Sequence, residues 1–271
     1  MHTIRQAAVA GTFYPARAAV LSQTVQDLLG AVAPEAGAAL VAPKALIVPH
    51  AGYVYSGSTA ARAYAQLVPW RASIRRVVLL GPVHRVPVRG LALPGVAAFA
   101  TPLGEVPVDQ AALASVASLP QVVTSAAAHA LEHSLEVQLP FLQTVLDQFT
   151  LVPLAVGDAR ATEVAQVLEA LWGGPETLIV ISSDLSHFLP YRMAQATDQG
   201  TVQRILALEG PLTHEQACGG TPVNGLLLAA RRHGLQPRLL GLCNSGDTAG
   251  DKNRVVGYAS LIFSEAPHAI H

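Results

Sequence analysis

The sequence predicts an α/β protein with a central, mostly parallel or mixed β-sheet flanked by helices. Six short apolar runs of strand length alternate with longer segments of helical period. No internal repeat or low-complexity linker interrupts that alternation, which favours one domain over residues 1–271. The composition, 51% hydrophobic and 13% charged, supplies enough apolar surface for one large core and is too apolar for disorder.

In chain order, helical period is expected over residues 21–33, followed by a strand at 44–49 where ALIV leads into a Pro. A helix follows at 58–67 and a strand at 76–81, the run RVVLLG. Residues 88–108 carry Pro and Gly at short intervals with alternating apolar positions, as a hairpin excursion would, ahead of a helix capped by Asp109. Helix 138–148, strand 151–157, helix 161–171 and strand 177–183 continue the α/β alternation. Helices 191–208 and 222–232 then precede strands 238–243 and 255–263. The strand runs are almost purely aliphatic, as expected for strands buried on both faces.

Charge excludes some partners. The 17 Lys and Arg nearly balance the 18 Asp and Glu with no run of like charge, so nucleic acid is not expected as a partner. The first residues lack an apolar signal core and no stretch reaches the length of a membrane span, so a soluble, cytoplasmic protein is expected. Two cysteines, Cys218 and Cys243, make no disulfide framework, and each reads as a small buried hydrophobe.

In an open α/β sheet, ligands bind beyond the carboxyl ends of the strands. LIVPHAGY puts His50 just after one strand and VVLLGPVHR puts His84 just after the next. IVISSDLSH brings Asp184 and His187, and LGLCNSGDTAGD brings Cys243, Asp247 and Asp251. Two imidazoles and a carboxylate converging from separate strands would form the facial triad of a non-haem iron site, with open positions for substrate. A competing motif is His129-Ala-Leu-Glu132-His133, matching the H-x-x-E-H of inverted zinc peptidases, with Glu209 as a distant acidic ligand. Apart from that motif, His129 reads as a solvated loop residue, His214 and His233 as helix-end residues, and His2, His268 and His271 as exposed termini.

These motifs resemble the Memo-like family, whose prokaryotic members are called AmmeMemoRadiSam system protein B. The resemblance runs nearly end to end. It is carried by AGTFYP at 10–15, PHAGYVYSG at 49–57, LGPVHRVPV at 80–88, EHSLEVQLPFL at 132–142, SSDLSH at 182–187, CGGTP at 218–222 and NSGDTAGDKNRVVGYAS at 244–260. It implies the fold of class III extradiol dioxygenases, which hold iron(II) through two histidines and a glutamate. By that resemblance His50 and His84 are metal ligands, His187 is the acid/base, and His133 is a catalytic pocket residue beside Glu132 and Glu136. The animal proteins place a cysteine ligand in the loop that here reads NSGDTAGD, and no Cys stands at the matching place. Asp247 is the expected third ligand, with Cys243 and Thr248 as alternatives.

Phe13, Tyr53 and Tyr55 are expected at the pocket mouth. Asp184 is expected either to orient His187 or to bond the loop backbone. The implied cofactor is a divalent metal, Fe(II) first, with Cu or Zn as alternatives. Two functions follow from the resemblance: an oxidoreductase acting on a small molecule, or a non-catalytic metal-binding adaptor whose partners are an AMMECR-type domain protein and a radical SAM protein.

Overall fold

The computed structural model describes residues 3–33 and 41–266. The terminal His2, His268 and His271 lie outside them. Among the described residues the strands are β1 (Ile4–Arg5), β2 (Pro43–Val48), β3 (Arg76–Pro82), β4 (Leu91–Leu93), β5 (Ala98–Thr101), β6 (Gly104–Pro107), β7 (Val122–Thr124), β8 (Thr150–Val156), β9 (Thr177–Ser182), β10 (His187–Leu189), β11 (Gln236–Asn244) and β12 (Val255–Ser264). The helices are α1 (Ala18–Gly30), α2 (Tyr53–Tyr64), α3 (Gln110–Val116), α4 (Ala126–Ala130), α5 (His133–Glu136), α6 (Leu139–Val145), α7 (Ala161–Ala170), α8 (Tyr191–Leu206) and α9 (Gly220–Arg232).

The centre of the main sheet runs β12-β2-β9-β3-β8, and β2, β9, β3 and β8 are mutually parallel. These four are the aliphatic runs of the sequence, and nearly every residue in them is buried. A strand covered on both faces has no polar face to present, which is why they read as unbroken apolar stretches. Helices α1, α2 and α6 pack together against β2, β11 and β12, whereas α7 and α9 pack together, with α9 against β3 and β9. Antiparallel strands extend both edges: β12 beside β2 with β10 and β11 beyond it, and β4 beside β8 with β7 beyond.

The expected hairpin between 88 and 108 splits in two. Its first strand, β4, joins the main sheet, while β5 and β6 pair with each other and with β1 in a separate three-stranded sheet. Asp109 caps α3 by accepting the Ala112 N–H at 2.9 Å, as its position predicted. The expected helix 138–148 is shorter, running Leu139–Val145.

One buried ion pair ties the N-terminal segment to the centre of the protein. The Glu136 carboxylate, fully buried, accepts from the Arg5 guanidinium, the Tyr14 hydroxyl and the backbone N–H groups of Ala8 and Val9. Arg5 also donates to the carbonyls of His129 and Glu132. Removing one partner of such a pair leaves an uncompensated charge in the interior. Arg5→Met is therefore expected to cost about 3–5 kcal/mol of stability, read as a lowered urea midpoint at unchanged slope.

Candidate metal centre

The order β2-β9-β3 sets the site. His50 follows β2 by two residues and His84 follows β3 by two, so both emerge at the carboxyl edge on either side of β9. His133 opens the four-residue helix α5, which packs against β3. One candidate ligand nitrogen from each of these three rings lies within 4.8 Å of the other two. Ring centroids are 5.2 Å apart for His50 and His84, 5.4 Å for His50 and His133, and 4.5 Å for His84 and His133. Burial grades from closed to open across the group: His50 is buried, His133 half-buried and His84 exposed.

Hydrogen bonds on Nδ1 set which nitrogen His50 and His84 present. The Ser182 hydroxyl donates to the Ser134 carbonyl at 2.6 Å, so toward His50 Nδ1, 2.8 Å away, it acts as acceptor. His50 therefore carries its proton on Nδ1 and leaves the Nε2 lone pair free. Gln138 holds Ser182 in turn, its Nε2 donating to Ser182 Oγ at 2.8 Å and to the Pro49 carbonyl at 2.9 Å while its Oε1 accepts from Tyr64. Register supplies this contact, because Ser182 pairs with Val48, two residues before His50.

Glu132 does the same for His84 and faces the His133 ring. Its Oε1 lies 2.8 Å from His84 Nδ1 and 3.3 Å from His133 Nδ1, and accepts the Ser134 N–H at 2.9 Å; Oε2 accepts the His84 backbone N–H at 2.6 Å. A carboxylate behind an imidazole is the usual device for orienting a metal-ligating histidine and fixing its tautomer. Burial alone would raise the Glu132 carboxyl, yet the His84 ring and the N–H groups of Ser134 and His84 hold it down at about 2. Burial drives His50 well below the ordinary imidazole value and His133 to about 4, so both stay neutral at pH 7. Three imidazoles whose ligand nitrogens lie this close together are a donor set that fits a divalent cation.

His187 stands nearby, in the wall of a cavity of about 540 Å³ that it shares with His84, His214 and Cys218. Its Nδ1 donates to the Leu185 carbonyl at 2.9 Å, which frees Nε2, and burial keeps its basicity below the ordinary value. The thiol of Cys218 lies 3.3 Å from His50 Nε2 and accepts the Asp184 N–H, and burial pushes it up to about 12. Sequence reading gave Cys218 no role beyond packing, and CGGTP alone carries nothing that marks it as a neighbour of His50.

Several expected site residues lie elsewhere. Asp247 is outside the three-histidine group: its carboxylate accepts from the Tyr191 hydroxyl and, at 2.9 Å, from the Asn244 N–H, closing the turn after β11. His133, expected as a pocket residue, is the third member of the group. Cys243 bonds Thr59 on α2 at 3.0 Å, and Thr248 bonds the Ser245 carbonyl in its own turn. Glu136 faces the N-terminal segment, and Tyr53 is core, donating to the Val137 carbonyl and packing on Phe141. Tyr55 is a partly exposed residue of α2 outside the cavity wall. Phe13 does pack on the His133 ring, centroids 4.7 Å apart. Asp184 bonds the loop backbone, accepting the His50 N–H at 2.8 Å, and burial raises its carboxyl to about 7.

The zinc-peptidase geometry does not form. α4 ends at Ala130 and α5 begins at His133, so the two histidines do not share a helix face. His129 is buried, bonding the Ala92 carbonyl at 2.8 Å and packing edge-on against Phe99, where sequence reading expected a solvated ring. His233 meets expectation at the end of α9, stacked on Trp172 and paired with Glu169.

Comparison with known proteins places this geometry. The family model described as "Memo-like protein" matches residues 5–262. The chain belongs to the Memo-like family. Among its relatives are the MEMO1 family protein of Aquifex aeolicus, 35% identical over 273 residues and covering 96% of this chain and 99% of the relative, and one from Methanosarcina barkeri, 35% identical over 276 residues with the same coverage. An uncharacterized protein from Escherichia coli K12, seen in a crystal structure, has a TM-score of 0.51 at 17% identity and covers 80% of this chain and 98% of its own; that likeness shows the fold. The Memo-like fold here is the extradiol-dioxygenase-like α/β architecture that the sequence resemblance implied.

One measurement tests the site and a second tests the buried placement of His129. Glu132→Gln is expected to weaken metal binding about 10- to 100-fold in a chelator competition titration, because a neutral amide orients the two rings less well. His129 supplies a pH test: its folded value of about 4 lies below the ordinary 6.5, so the unfolded chain binds the extra proton. Its contribution to stability is full above pH 6.5 and is lost as pH falls toward 4. In His129→Gln the acid slope of unfolding free energy over that window should be shallower by about 1.4 kcal/mol per pH unit.

Proposed function

We propose that this protein is a metal-dependent oxidoreductase of the dioxygenase type, working as one domain. In this reading His50, His84 and His133 hold a divalent cation through Nε2, and His187 moves a proton at the open side. The observation that supports it is the clustering of three imidazoles whose ligand nitrogens lie within 4.8 Å of one another, with a fourth, His187, held through Nδ1 in the wall of the adjoining cavity. Bound there, iron(II) would supply a Lewis acid and a site for oxygen chemistry. Three imidazoles also accept zinc or copper, and the family resemblance is what favours iron.

The chain's own residues define the rest. Pro82, Val83, Pro87 and Val88 form an apolar side of the cavity that excludes water from part of a small substrate. His187, neutral at pH 7 and anchored through Nδ1, accepts a substrate proton at Nε2 and returns it to a leaving oxygen.

Anaerobically purified protein reconstituted with Fe(II) should bind about one equivalent and consume oxygen with catechols or an extract fraction. His50→Ala should lose both metal and turnover, whereas His187→Ala should keep the metal and lose turnover by about 100-fold or more. Equal metal loss in the two variants, or no metal-dependent oxygen uptake with any substrate, would overturn the reading.

A further inference from the structure

His187 lies on an edge strand of three residues that does little to hold it. The register of β10 against β12 slips between His187 and Leu189, and Phe188 between them sits at φ 61°. A bulky residue adopts that left-handed value only where its surroundings impose it. Part of the hold comes from α8, which packs against both β10 and β12. Asp198, in the middle of α8 and 1% exposed, accepts the Ser186 N–H with Oδ1 at 3.0 Å. The Ser186 carbonyl accepts the Gly257 N–H at 2.9 Å, and the Leu185 N–H donates to the Gly257 carbonyl at 2.8 Å.

Gly257 closes the clamp. A Cβ at that position would fall 1.9 Å from Asp198 Oδ2, so the carboxyl fits only because residue 257 has no side chain. Oδ2 has no hydrogen-bond partner among the described residues. Both the backbone N–H and the side chain of Ser186 favour the Asp198 carboxylate here, and an apolar side chain in this space would satisfy neither.

We propose that Asp198 is a positioning residue for His187, holding the Leu185–Ser186 corner with an acceptor oxygen so that the ring donates from Nδ1 to the Leu185 carbonyl and presents Nε2 at the cavity. Gly257 is the vacancy that admits it. The inference rests on the reading of His187 as the proton-moving group, but its test does not need turnover.

Long-range proton–nitrogen NMR of the full chain reads the ring tautomer, with the His187 signals assigned by their loss in His187→Gln. Wild type and Asp198→Asn, which keeps an acceptor oxygen, should show the single Nδ1–H tautomer, whereas Asp198→Ala and Gly257→Ala should show a mixture of both. A single Nδ1–H tautomer in Asp198→Ala overturns the proposal, and so does its loss in Asp198→Asn. Should Asp198→Ala not fold, Gly257→Ala decides in the same way, because it displaces the carboxyl without deleting it. Titration of the same samples with zinc alone separates the two readings. Zinc should bind wild type and the Asp198 variants alike; failure to bind wild type removes the metal reading and leaves the tautomer result standing.

Discussion

Two of the three rings in the candidate metal centre are steered by one carboxylate, and the site depends on that sharing. Glu132 reaches the Nδ1 atoms of His84 and His133 with the same oxygen and also holds the backbone beside each ring. His84 comes from a loop after a parallel strand and His133 from a one-turn helix, elements with no reason of their own to agree on a direction. The ion-like oxygen makes them agree. His50 is handled differently, by a neutral chain from Tyr64 through Gln138 to Ser182, buried in the same core that stacks Tyr64 on Phe141. A fully satisfied buried network of this kind rigidifies what it touches.

The segment 132–136 has two faces. Glu132 looks toward the metal centre and Glu136 toward the N-terminal segment, where Arg5, Ala8, Val9 and Tyr14 converge on it. The short sheet of β1, β5 and β6 therefore braces α5 from behind. Phe13, in the same segment, adds a ring against His133. Residues 5–14 thus act on the site although they contribute no candidate ligand to it.

The parallel strands were legible in the sequence because burial on both faces leaves an aliphatic run with few readings other than a strand. His50 and His84 were legible for a related reason, since they are the first ring-bearing polar residues after two such runs. The third member of the group was harder. Asp247 sits in a turn rich in Gly, Ser and Asp, and a carboxylate that caps its own turn cannot be told from a ligand by spacing alone. His133 was masked by the H-x-x-E-H pattern, whose helical reading fails because the chain breaks between Ala130 and His133. The β5–β6 sheet, β7 and the one-turn helices rest on tertiary contacts and leave no periodic trace in so few residues.

In the candidate metal centre, His50 and His84 turn their Nδ1 atoms to the protein side. Each Nδ1 faces an oxygen of Ser182 or Glu132, which leaves Nε2 on the open side, where the Cys218 thiol meets that of His50. A centre built from thiols must shed hydrogen ions before it can bind a metal, which ties its occupancy to acidity. In this candidate centre His50 and His133 stay neutral at pH 7, so a cation meeting those two rings would not first have to displace a proton from either.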